Sequence, residues 1–147
     1  MNRIILRPLQ FDDFPKWIPL WDGNNLGQRD EAVTTETWSR LCDPDNTQVN
    51  GIAAEMNGEI LGIAHYILHP TTGNINPVCY MQDVYVDPAH RRKGIGKRLV
   101  NEITKIGNQE KWARMYWLTQ VGNKEAKAMY ENFGIKLDFT FYVLPIS

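Results

Sequence analysis

The sequence predicts an α/β (α+β) domain built on a mixed sheet. Three observations lead there. Stretches of strand and helix character alternate along the 147 residues. Two strand-like runs meet directly at Asn57-Gly58, a two-residue hairpin signal that a purely parallel sheet would lack. A basic glycine loop, "RRKGIG" from Arg91 to Gly96, separates an apolar strand from an amphipathic helix.

The elements follow in order. "RIILRPL" reads as a short first strand. "FDDFPKWIPLW" has helical spacing of Phe11, Phe14, Trp17/Ile18 and Trp21, weakened by Pro15 and Pro19. "TTETWSRLC" predicts a second helix with Thr34 or Thr35 as N-cap, stopped by "DPDN". "QVNGIAAEM" and "EILGIAHYILH" are the hairpin strands around Asn57-Gly58, and "HPTTGNINP" reads as a loop. "VCYMQDVYV", rich in β-branched and aromatic residues, predicts a central strand. A helix from Ile95 to Glu110 follows the glycine loop, with Ile95, Leu99, Ile103 and Ile106 on one face. "ARMYWLTQ" predicts a further strand. "NKEAKAMYENF" predicts a short helix, with Asn123 as N-cap and Gly134 as a left-handed stop. "IKLDFTFYVL" predicts a long final strand.

Length and composition set outer limits. The chain fits one domain with a real core, and its apolar and charged fractions are ordinary. The short apolar runs predict neither a membrane span nor a secretory signal. Two cysteines, Cys42 and Cys79, make no disulfide framework and suggest reduced thiols in a cytoplasmic protein. A net charge of −1 conceals an asymmetry: residues 1–80 carry −5 and residues 81–147 carry +4. That pattern suits a cationic ligand on the first half and an anionic one on the second, or plain surface charge.

The glycine loop narrows the anion. A helix start offers backbone N–H donors and a positive dipole end, glycine allows close approach, and Arg91, Arg92, Lys93 and Lys97 add charge. No good side-chain cap precedes the helix. The GxxxxGK[ST] pattern is absent, and Leu99 stands where a dinucleotide fingerprint needs its third glycine. The acidic first half disfavours nucleic acid. A small pyrophosphate-bearing cofactor remains, with a solvated basic helix start as the bland reading.

These residues resemble a known family. "RRKGIG" matches the R/Q-x-x-G-x-G/A acetyl-CoA signature of the GCN5-related N-acetyltransferases (GNAT). "CYMQDVYVDPAHRRKGIGKRLV" is similar to that family's fourth strand, pyrophosphate loop and third helix, and "NKEAKAMYENFGI" to its N-x-x-A-x-x-(L/M)-Y-x-x-x-G-(F/I) segment. Residues 78–135 carry the likeness. "HYILHPTTG" and "YWLTQVGN" most resemble the branch holding the spermidine/spermine, thialysine and yeast histone-type acetyltransferases.

The resemblance implies one N-acetyltransferase domain over residues 1–147, with about six or seven strands flanked by about four helices. It implies acetyl transfer from acetyl-CoA to a primary amine by direct attack. Arg91, Arg92, Lys93, Gly94, Ile95, Gly96 and Lys97 would hold the CoA pyrophosphate. The backbone of Val84, Tyr85 and Val86 would take the pantetheine arm, aided by Asn123, which equally suits a plain N-cap. Tyr130 matches the general acid, against a core-tyrosine reading. Asp83 matches an acidic position of the polyamine branch and would bind the ammonium, with a structural aspartate as the even alternative. Its neighbour, often Glu there, is Gln82 here, which removes one base.

Trp21, Glu31, His65 and Gln82 are further acceptor-side candidates, although Trp17 and Trp21 equally suit a core. No HExxH or CxxC occurs, so no metal is expected. Cys79 reads as a buried structural thiol. The acceptor is expected to be a small cationic amine. A protein lysine or N-terminus, and a non-catalytic acyl-CoA-binding module, are the alternatives. Partners in nucleic acid or membrane are not expected, and a homodimer is.

Overall fold

Local signals place most elements of the computed structural model, which describes residues 3–146. The chain divides into two compact units, Met1–Trp117 and Leu118–Ser147.

In the first unit, five strands form one sheet in sequence order: β1 (Ile5–Pro8), β2 (Val49–Met56), β3 (Glu59–Thr71), β4 (Asn74–Val86) and β5 (Arg114–Tyr116). β1 to β4 pair antiparallel, and β5 joins β4 in parallel after a helical crossover. Asn57 and Gly58 both have positive φ, 52° and 81°, as the expected two-residue turn requires. The segment expected as a loop before β4 is mostly ladder: His69 pairs with Val78 and Thr71 with Asn74. Pro70 falls at a register irregularity, the place where a proline is tolerated in a sheet.

Three helices cover the two faces. A 3₁₀ turn (Phe11–Asp13) leads into α1 (Phe14–Asn24), which keeps Pro15 in its first turn and Pro19 inside. α2 (Glu31–Cys42) begins earlier than expected. Its N-cap is Asp30, whose carboxylate accepts from the Val33 N–H at 3.1 Å, and not Thr34 or Thr35. Thr34 instead bonds the Asp30 carbonyl and the Trp21 indole. α1 and α2 pack Trp17, Trp21 and Trp38 with Leu9, Leu20, Ala53 and Ile63. α3 (Ile95–Glu110) matches its predicted bounds and buries Ile95, Leu99, Val100 and Ile103.

The second unit holds α4 (Lys124–Tyr130), capped by Asn123, whose side chain accepts from the Ala126 N–H at 3.1 Å. The helix stops with Glu131 as C-cap in right-handed geometry, ahead of Gly134. The strand expected over 135–144 is not formed, so the described residues give five strands. Ile135, Leu137, Phe139 and Phe141 alternate as a strand would, yet they are 64–89% exposed. A strand exists only with a neighbour to pair with, and this segment has none within its unit.

Candidate active site

Two parts of the first unit are built for a ligand. The first is the loop between β4 and α3. β4 ends at Val86, and Asp87 caps a short 3₁₀ turn (Pro88–His90) by accepting from the Ala89 N–H at 2.9 Å. Arg92 and Gly94 then both turn left-handed, with φ of 65° and 77°. Left-handed residues beside a helix start turn successive backbone N–H groups toward one concavity, a fitting cradle for an anion. Gly94 is the N-cap of α3, and no side chain caps that helix. A Cβ on Gly94 would meet nothing within 4 Å, so its backbone angle, not crowding, calls for glycine.

The basic side chains differ in placement. Arg92, Lys93 and Lys97 are exposed, and the Lys93 ammonium stands 3.4 Å from His90 Nδ1. Arg91 folds back: its Nε donates to the Val86 carbonyl at 2.9 Å, and its guanidinium lies 5.0 Å from the Tyr85 ring centroid. Ile95 is buried beneath the loop, and Gly96 opens the first turn of α3.

Beside this loop, β4 has an open edge. β3 pairs with one side of Val84, Tyr85 and Val86. β5 stops at Tyr116, opposite Tyr80, so among the described residues no strand pairs with the other side of those three. An unpaired edge offers backbone N–H and C=O groups to an extended ligand.

The second part is centred on Asp83. Opposite it in the register is His65, and the next pair is Tyr66 with Met81, so Gln82 is an extra, bulged residue. His65 Nδ1 lies 2.9 Å from Asp83 Oδ2, and the Asn24 amide donates to Asp83 Oδ1 at 3.0 Å. Behind them the Trp17 indole N–H donates to His65 Nε2 at 3.0 Å. Burial pushes the Asp83 carboxyl up, but the hydrogen bonds from His65 and the Asn24 amide outweigh it. The carboxyl is held below its ordinary value. The Asp83 charge in turn raises the nearby Tyr80 phenol, after the larger effect of burial.

Asp83 opens into a cleft of about 440 Å³ lined by Trp21, Asn24, Leu26, Asp30, Gln82 and neighbours. Two carboxylates line it and no Lys or Arg does. The nearest candidate cation in sequence, Arg29, is occupied by Asp22 at 2.6 Å and Glu31 at 3.3 Å. The cleft therefore favours a positive ligand.

Of the acceptor-side candidates, Trp21 and Gln82 line this cleft. His65 lies behind Asp83, 3% exposed, edge-on to Trp17 and Trp21. Glu31 stands at the exposed start of α2, paired with Arg29, and Asp30 is the residue of that segment that lines the cleft. Asn24 and Asp30 escaped the sequence reading. Asp30 had a signal, as an aspartate ahead of a helix, while an Asn at a helix end reads only as a terminus. Burial pushes the Cys79 thiol up to about 12, which keeps it protonated and structural. Tyr130 closes α4 in the second unit, and its carbonyl accepts from Phe133 and Gly134.

The chain belongs to the Acetyltransferase (GNAT) family, which residues 9–135 match. It is an acetyl-CoA-dependent N-acetyltransferase. Among relatives, "D-amino-acid N-acetyltransferase HPA3" of Saccharomyces cerevisiae (strain ATCC 204508 / S288c) is 28% identical over 145 residues, covering 96% of this chain and 90% of that one. "Thialysine N-epsilon-acetyltransferase" of Caenorhabditis elegans is 26% identical over 89 residues, 60% of this chain and 55% of that one. Among solved structures, the aminoglycoside acetyltransferase AAC(6')-Iy in complex with the bisubstrate analog CoA-S-monomethyl-acetylneamine superposes with a TM-score of 0.83. That match covers 99% of both chains at 17% identity, a likeness of fold.

Proposed function

We propose that this enzyme acetylates the primary amine of a small cationic acceptor bound against Asp83. The cleft with two carboxylates and no basic lining residue is the observation behind that reading. The yeast relative's name, a D-amino-acid N-acetyltransferase, and the nematode relative's, a thialysine one, add support from small amine acceptors. In the reaction, the acceptor nitrogen attacks the thioester carbonyl, a C–N bond forms, and the C–S bond breaks. The nitrogen gives up a proton toward Asp83 and solvent. The departing thiolate takes a proton from Tyr130.

Residues 1–147 work as one domain in this reading. The α3 loop, with Arg92, Lys93, Gly94, Ile95, Gly96 and Lys97, holds the CoA pyrophosphate. Arg91 braces the loop against Tyr85. The open edge of Val84–Val86 takes the pantetheine arm, and Asn123, the cap of α4, matches the family residue that contacts that arm. Gly96→Asp should weaken CoA binding by about tenfold or more, because it puts a negative charge beside the phosphates. Calorimetry with CoA checks it, and unchanged affinity would remove the loop from the site.

The acceptor is tested by release of free thiol from acetyl-CoA over a panel of diamines, lysine-like and D-amino acids, aminoglycosides and lysine peptides. Cationic small amines should turn over best. Preference for peptides would move the acceptor to a protein, and preference for neutral amines would overturn the reading.

The thiols of Cys42 and Cys79 are both unpaired, which supports a reducing compartment such as the cytoplasm. The exposed alternating run 135–141 supports a homodimer in which a second copy covers it. A monomer by sedimentation at high concentration would exclude that arrangement.

A further inference from the structure

The Asp83 cluster contains more than an anchor needs. A carboxylate that only had to face the cleft would be held well enough by Asn24. Instead a buried imidazole is bonded to it, and a buried indole is bonded to the imidazole.

Protons in this chain can be placed one by one. An indole N–H can only donate, so His65 Nε2 must present a lone pair to Trp17. The ring's proton is then on Nδ1, where it donates to Asp83 Oδ2 at 2.9 Å. A second proton on His65 would set an N–H against the indole N–H, 3.0 Å away. Turning the buried ring away from that clash would break its bond to Asp83. The ring packs edge-on against the stacked pair of Trp17 and Trp21, with centroids 5.9 and 5.8 Å away.

The two neighbours of His65 therefore pull in opposite directions. A carboxylate alone favours an imidazolium, which would neutralise it. The indole favours the neutral ring. We propose that Trp17 and His65 are positioning residues that orient Asp83 without neutralising it, so that its full charge is left for the acceptor ammonium. This inference rests on the reading that Asp83 meets the acceptor. Trp17 acts through His65 and touches neither substrate.

The groups facing the pair are few. α1 supplies Trp17, Trp21 and Asn24, and β4 supplies Tyr80 and Gln82. Asp30 faces it across the cleft from the start of α2. Carboxylates and phenols ordinarily keep one charge state between about pH 5 and 9, so an imidazole is the group of this set that can change its charge there.

The test pairs a direct observation with a kinetic one. In the wild type, ¹⁵N NMR of His65, one of three histidines, should show a neutral ring protonated on Nδ1 from about pH 6 to 9. Trp17→Phe keeps an aromatic ring and deletes the donor, so His65 becomes free to take a second proton. Its KM for a cationic acceptor should rise about tenfold over wild type near pH 6 and converge to within about twofold near pH 9. His65→Asn in the Trp17→Phe background offers an amide donor that cannot charge, and the low-pH penalty should disappear. A wild-type imidazolium near pH 6, or a Trp17→Phe profile parallel to wild type, overturns the proposal. The NMR result stands apart from the acceptor's identity. A neutral Nδ1–H ring with an Asp83→Asn variant that binds cations as well as wild type would refute the acceptor reading instead.

Discussion

Asp83→Asn should lower kcat/KM for a cationic acceptor by about 10²- to 10³-fold, through both binding and proton removal. CoA affinity should stay within about twofold, because the glycine loop proposed to hold its pyrophosphate is untouched. The substitution is nearly isosteric. The new amide can still accept from His65 through its oxygen, and its NH2 can donate to Asn24 once that amide turns its own oxygen round, so the cluster keeps its shape. Only the charge leaves a cleft whose remaining lining carboxylate is Asp30.

The pH profile separates this role from a structural one. His65 and Asn24 hold the Asp83 carboxyl below its ordinary value against the effect of burial. A depressed carboxyl is ionised throughout the neutral range, so it contributes no inflection there. The rise of kcat/KM with pH instead follows the acceptor, whose ammonium, with an ordinary pKa of about 10.4, must lose a proton before it can attack. Asp83→Asn should keep that slope and drop the whole curve. Added salt should raise KM in the wild type and matter less in the variant, since the screened charge is gone. A variant with wild-type kcat/KM would leave Asp83 as a strand residue that merely satisfies His65.

What could be read in the sequence follows a physical division. α3 and the Asn57-Gly58 turn were legible because periodicity and turn chemistry are local. The left-handed glycine loop before α3 was legible because two glycines and a basic run sit together in the chain. The Asp83 cluster was not. Asn24 and Asp83 are 59 residues apart, and nothing near either announces the other. His65 and Asp83 share a face only because Gln82 is bulged. A one-residue slip in a strand sends each side chain to the opposite face, so alternation alone could not have paired them. The run 135–144 failed in the opposite way. Its residues have every local strand property, but a strand also needs a partner edge, and that is not a property of the segment.

Tyr130→Phe should lower kcat by about 10²- to 10⁴-fold, the range of a lost general acid, with acetyl-CoA affinity within about twofold of wild type. The expectation comes from the Asn123–Tyr130 segment, whose cap and helix form as its sequence requires. The substitution removes one hydroxyl and keeps the ring, so α4 should persist. A thiol of pKa about 8.5 is a modest leaving group at neutral pH, and a positioned phenol spares the enzyme from expelling it as a bare thiolate. Two readouts would not move if Tyr130 only packed. A general acid acts only while protonated, so the wild-type rate should fall at high pH as the phenol ionises, and the variant should lack that descending limb. The variant should also be rescued by thioesters of more acidic thiols, which leave without a proton, whereas the wild type should gain little from them. Wild-type turnover at saturating substrate, or equal sensitivity of both enzymes to the leaving thiol, would assign protonation of the thiolate to solvent or to another side chain.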